Sequence, residues 1–138
     1  MLEKCIYPSL TYGCQTWTLT KSNEKFLEIQ QRKLFRSILG LKWRDKVSNN
    51  QLIKKVNSKS ILNIVKQLKW NWSGHVMRLK DDRWTKLILE WFPYGMKRKR
   101  GKPATRWCRE FVEYAENTWP RVARERKAWI NARNYLLD

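Results

Sequence analysis

Between residues 95 and 109 the chain reads GMKRKRGKPATRWCR, and seven of these fifteen residues are basic: Lys97, Arg98, Lys99, Arg100, Lys102, Arg106 and Arg109. None is acidic. The chemistry open to such a stretch is the holding of phosphates. Arg98, Arg100 and Arg106 can each offer paired donors to one phosphate, while the lysines act as point charges. A helix expected just downstream would add free backbone N–H groups at its start. A solvated loop and a nuclear-import run share this composition.

Other chemistries find less support. Divalent-metal catalysis needs converging carboxylates, and Asp81–Asp82 is an adjacent pair placed where a helix cap belongs. His75 is the single histidine, lies on an apolar stripe with Trp72, and reads as packed rather than catalytic. Cys5, Cys14, His75 and Cys108 follow no zinc-ligand spacing, so buried thiols are expected. The expectation is therefore no catalytic residue, no metal and no cofactor.

The bulk numbers agree with a polyanion partner. Thirty basic against twelve acidic residues leave a net charge of +18 on 138 residues, which repels itself unless a polyanion is near. Hydrophobic residues make up 42% of the chain, enough for a modest core. Three cysteines suit a reducing compartment, and neither a membrane span nor a signal peptide is read. The expected protein is intracellular, nuclear rather than cytoplasmic, with nucleic acid as partner and neither a membrane nor a small-molecule substrate. Further cations extend the pattern: Lys42, Arg44 and Lys46; Lys66, Lys69, Arg78 and Lys80; Arg121, Arg124 and Lys127. Trp43, Trp70 and Trp107 sit beside such cations, and an exposed ring could stack a base.

Helical periodicity places these residues, and no strand alternation is seen, so an all-α fold is expected. One helix spans about 23–39, with Ser22 or Asn23 capping it and Gly40 ending it. A short helix follows around QLIKKV. Another begins at Ser60 with Ile61, Val65, Leu68, Trp72, His75 and Leu79 on one stripe. Trp84, Leu87, Ile88 and Trp91 mark an amphipathic helix broken by Pro93 and Gly95. Trp107, Phe111 and Ala115 share the face of the next, and Val122, Trp129, Ile130 and Leu136 that of the last. The expected organisation is a helical bundle over 1–92, then a basic loop and a C-terminal helical pair over 93–138.

Six phrases in one order carry a family resemblance: YPSLTYGCQTWTLT (7–20), LGLKWRDKVSN (39–49), LKWNWSGHVMR (68–78), DRWTKLILEWFP (82–93), RGKPATRW (100–107) and the tryptophan frame 119–129. Together they resemble the C-terminal region of reverse transcriptases of non-LTR, LINE-like retrotransposons, across nearly the whole chain. The resemblance implies a helical thumb and then a basic extension. Their part in target-primed reverse transcription would be to clamp template–primer, element RNA or target DNA. By position, Tyr12, Gly13 and Trp17 match the turn after the first thumb helix, and Arg44 and Asp45 match a WRD turn. Gly74 and His75 match a GH pair read as packing, and Arg100, Gly101, Pro103, Arg106 and Trp107 match the RG-P--RW phrase. Ala104 and Cys108 depart from that last phrase.

The polymerase and endonuclease motifs of such proteins are not found here, so the expected role is not an enzyme's. The nucleic-acid-binding residues expected are Arg44, Lys97, Arg98, Lys99, Arg100, Lys102, Arg106, Trp107 and Arg109. The polymerase palm would be a second partner. A protein-interaction module, truncated or adopted by a host, is the alternative, and a binder of anionic membrane surfaces a third.

Overall fold

The computed structural model describes residues 2–80, 83–90 and 106–137. Among them every regular element is helical, and the fold is all-α. The chain forms two compact units, Met1–Gln67 and Leu68–Asp138. The boundary expected at 92/93 lies outside the described residues.

In the first unit, a helical turn at Leu2–Ile6 runs into α1 (Tyr7–Leu10). The chain then reverses at Gly13, whose φ of 68° suits a residue without a Cβ. α2 (Lys21–Ile38) follows, and its cap is Thr20, which accepts the Asn23 N–H at 3.2 Å, rather than Ser22 or Asn23. Gly40 ends it at φ 65°, as the sequence predicts. Ser48 and Gln51 form a reciprocal capping box on α3 (Asn49–Val56), and Asn57 closes that helix in the left-handed region.

The inward face of α2 differs from the stripe of Leu27, Leu34, Ile38 and Leu41 that the sequence spacing predicts. Gln31 and Phe35 are buried, whereas Ile38 is exposed. Gln31 is inside because its amide is fully employed. Nε2 donates to the Tyr7 hydroxyl at 2.9 Å and to the Lys59 carbonyl at 2.7 Å. Oε1 accepts the Ile61 N–H at 3.2 Å, one of the orphan donors at the start of α4 (Ile61–Met77). The Tyr7 hydroxyl in turn meets Ser58 Oγ at 2.8 Å. Tyr7, Cys14, Leu19, Leu52, Ile61, Leu62 and Val65 complete this core.

α4 contributes residues to both units, and its buried positions shift along its length. Ile61 and Val65 face inward as expected, but the later buried set is Lys69, Trp70, Ser73, Val76 and Met77, and His75 is exposed. In the second unit Trp70 stacks on Trp129, with centroids 4.3 Å apart and planes 19° from parallel. Each indole N–H donates to the other residue's carbonyl, at 3.0 and 2.8 Å. Gly74 makes this possible, since a Cβ there would lie 2.6 Å from Trp129 Nε1. The close-approach reading of the GH pair thus holds for Gly74 and not for His75.

Phe111 and Trp119 tile the same aromatic cluster from α6 (Arg109–Ala115) and from the first residue of α7 (Trp119–Arg124). The last helix is interrupted: Glu125 turns extended, with ψ 105°, and α8 (Arg126–Leu137) restarts after it. Its inward residues are Trp129 and Ala132, while Ile130 is exposed. One expectation reverses outright. In α5 (Trp84–Glu90), placed between α4 and α6, Trp84, Leu87 and Ile88 are exposed, and Leu89 is the residue packed on the core.

Candidate nucleic-acid interface

The basic stretch divides between what the structure describes and what it does not. Lys97, Arg98, Lys99, Arg100 and Lys102 lie outside the described residues, as do Asp81 and Asp82. Of the remaining candidates, Arg106 is exposed just ahead of α6. Arg109 opens α6 and pairs with Glu113 one turn on, its Nε 2.8 Å from Oε1. That i,i+4 pair is partly solvated and weak, so the guanidinium can still exchange partners.

Trp107 is half-buried, with its ring edge-on to Trp72 and Phe111 at 5.4 and 5.2 Å. The ring belongs to the aromatic core, which leaves little of it for a base. Beneath it lies Lys69, only 1% exposed, with Nζ 5.1 Å from the Trp107 centroid and 5.8 Å from that of Phe111. Its counter-charge is Glu110, 3.7 Å away, whose Oε1 is buried and accepts no hydrogen bond. Lys69, grouped with the surface cations in the sequence, is therefore a core residue, and so is Trp70 beside it. The signal for this was available in part, because Glu110, Trp107 and Phe111 share one helical neighbourhood.

The middle group of cations is largely engaged within its own units. Lys66 pairs with Glu24 at 3.6 Å. Arg78 donates to the Ala123 carbonyl at 2.9 Å, near the end of α7. Burial, and then the like charge of Arg126, pull its pKa below the usual guanidinium value. Lys80 is exposed.

Two further groups of the cations singled out in the sequence are exposed, one in each unit. In the first, Lys42, Arg44 and Lys46 surround the 3-10 turn Trp43–Asp45. In the second, Arg121, Arg124, Arg126 and Lys127 are exposed around the α7–α8 interruption, with Glu125 among them. Arg126 was absent from the sequence expectation, although it stands in the same RERK run. The break at Glu125 gathers these cations at a helix junction rather than distributing them round one helix.

The free cysteines are Cys5, Cys14 and Cys108, in exposed, buried and half-buried positions respectively. Among the described residues no three His, Cys, Asp or Glu side chains converge on a point that could hold a metal ion. No helix among them is long and apolar enough to cross a membrane.

Compared with known proteins, the chain is 31% identical, over 94% of its length, to a transposon-derived protein of Caenorhabditis elegans. It spans about half of that relative, 51% of its length. No protein-family model matches the chain, and no solved structure matches it either. The likeness is consistent with an origin in a transposable element.

Proposed function

We propose that this chain is a nucleic-acid-binding part of a non-LTR retrotransposon reverse transcriptase, a helical thumb with its basic extension, which clamps template–primer, element RNA or target DNA and contributes no active site of its own. The observation that carries this reading is the charge: +18 overall, with exposed cations in each unit. A like-charged surface of this density is stable beside a polyanion and repels itself without one. The transposon-derived relative and the six collinear phrases support the element's side of the proposal. The palm of the same polymerase would be its protein partner.

A salt-titrated binding assay tests it, with single-stranded RNA, single-stranded DNA and an RNA–DNA duplex in parallel. Contact with about five phosphates gives a log–log slope near −3.5 for single strands and nearer −4.5 for a duplex. Gln substitutions of Arg98, Arg100 and Arg106 should weaken binding and leave the circular dichroism unchanged. Binding indifferent to salt would overturn the proposal.

A second reading, a protein-interaction module, is favoured by the exposed stripe of Trp84, Leu87 and Ile88 on α5 and by an apolar cleft of about 530 Å³ in the first unit, lined by Leu10, Trp17, Phe26 and Leu34 among others. Sedimentation showing a stable dimer unaffected by nucleic acid would select it.

A further inference from the structure

Trp70, Trp119 and Trp129 are buried, yet Trp43 is 84% exposed at the tip of the turn Trp43–Asp45. A large apolar ring left in water on a mobile loop would mean little. This turn is closed at several points. The Asp45 carboxylate accepts the Lys42 N–H at 2.6 Å, and the Asp45 N–H returns to the Lys42 carbonyl at 3.1 Å. On the upstream side the Leu41 N–H is bound to the Arg36 carbonyl at 2.9 Å. Downstream, the Arg36 guanidinium holds the Val47 carbonyl and the Asn49 side chain. The indole is thus displayed on fixed backbone.

Its surroundings are cationic. The Arg44 guanidinium carbon lies 5.6 Å from the indole centroid, over one face of the ring. A flat ring with one face covered by a guanidinium offers the other to a second flat ring. Lys42 and Lys46 flank the turn and are exposed. Between Glu28 and Asp81 the sequence has thirteen lysines and arginines against a single acid, Asp45, whose Oδ2 is held by the backbone. Around the turn itself, the exposed charges of Lys42, Arg44 and Lys46 outnumber that of Asp45.

We infer that this turn is a nucleotide-stacking site. Trp43 takes a base of single-stranded nucleic acid on its open face, Arg44 supports the ring from the other face, and Arg44, Lys42 and Lys46 take the adjoining phosphates. A stacked base needs only a π-face, so the site does not select sequence. The inference rests on the nucleic-acid reading above and adds to it a place for a base.

The test uses the full chain with oligouridine, oligodeoxythymidine and an abasic strand of equal length. The wild type should bind both base-bearing strands more tightly than the abasic one. Trp43→Ala should lower affinity for base-bearing strands about 5- to 150-fold, the range that alanine substitution of a stacking aromatic gives. It should barely change abasic binding or the salt slope, and Trp43→Phe should restore most of the loss. Arg44→Gln should weaken all three strands and flatten the slope by about 0.7. Preference for uridine or for deoxythymidine identifies the strand that the site serves. If Trp43→Ala binds every strand as the wild type does, the stacking site is overturned while polyanion binding stands. The same result coupled to lost self-association would give the turn to a protein contact instead. If no strand binds at low salt, the broader function falls as well.

Discussion

The first unit joins its helices through a glutamine amide and a tyrosine hydroxyl, which tie α1, α2 and the approach to α4 together by hydrogen bonds. The second joins α4 to α8 through two stacked indoles, brought together by a glycine and ringed by Phe111 and Trp119. A polar clip depends on direction and distance, and contributes modestly once exchange with water is counted. An aromatic stack depends on area and shape, and its removal leaves a cavity that neighbours cannot refill. The second unit should therefore be the more sensitive to single substitutions. It is also the unit that carries its charge on top of its core, with Lys69 enclosed by the same rings.

The sharpest way to break that comparison is Trp129→Ala. It removes the stack, the hydrogen bond donated by the Trp129 indole and a buried ring, and should cost about 4 kcal/mol of unfolding free energy in a denaturant titration. Amide hydrogen exchange should rise first over residues 106–137 and later over residues 7–56. Equal loss of protection in both units would mean that the division is not an energetic one.

Next in size is the buried pair. Glu110→Ala takes the carboxylate away from an ammonium that is 1% exposed and should cost about 3 kcal/mol. Lys69→Met combined with Glu110→Leu removes both charges together, fits a flexible apolar chain between Trp107 and Phe111 without stranding a carboxylate, and should recover most of that loss. Comparison of the two melting curves checks the sign. A double variant less stable than Glu110→Ala would show that the cation's attraction to the rings outweighs its desolvation.

How much of this was legible in the sequence depends on whether the signal is local. Gly13 and Gly40 mark turns because left-handed backbone suits a residue without a side chain, and both positions are of that kind. Ser48 ahead of Gln51 spells a cap. The face of Trp107 and Phe111 follows from helical spacing. What could not be read needed tertiary partners. Gln31 looks like a surface residue until Tyr7, Lys59 and Ile61 are placed around it. Lys69 looks like a surface cation until Glu110 and two rings enclose it. The stripe of α4 has the right period, but no periodicity states that one helix contributes to two cores in succession. α5 fails for the complementary reason: its apolar spacing is real, and among the described residues of its helix Leu89 is the one packed on the core. Around the candidate site, the turn at Trp43–Asp45 was legible, while the exposure of Trp43 and the engagement of Lys66, Lys69 and Arg78 were not.

A smaller effect is expected from the clip. Gln31→Ala leaves the Ile61 N–H and the Tyr7 hydroxyl without their buried partner and should cost about 2 kcal/mol. Gln31→Glu keeps the acceptor for Ile61 but turns a donor into an oxygen facing the Lys59 carbonyl, so it should not rescue. If Gln31→Ala cost as much as Trp129→Ala, the two ways of joining helices would be equivalent and the contrast between the units would fail.

The smallest effect is read from the cysteines, one buried in the first unit and one half-buried in the second. Burial pushes the Cys14 thiol above its ordinary pKa, partly offset by a backbone hydrogen bond, while Cys5 is exposed and Cys108 half-buried. A thiol whose folded pKa is raised holds its proton longer in the folded state than in the unfolded one. Its contribution to stability is complete below the ordinary thiol value of about 8.5 and is lost as pH rises through the folded value. Alkylation near neutral pH should therefore label Cys5 first, with Cys14 reacting only when the first unit opens. In the Trp129→Ala protein, Cys108 should be labelled faster while Cys14 keeps its wild-type rate. Mass spectrometry of the alkylated peptides reads all three sites at once. Acceleration of Cys14 to the same degree as Cys108 would join the two cores into one cooperative unit, and α4, which supplies residues to both, would be the element through which they are coupled.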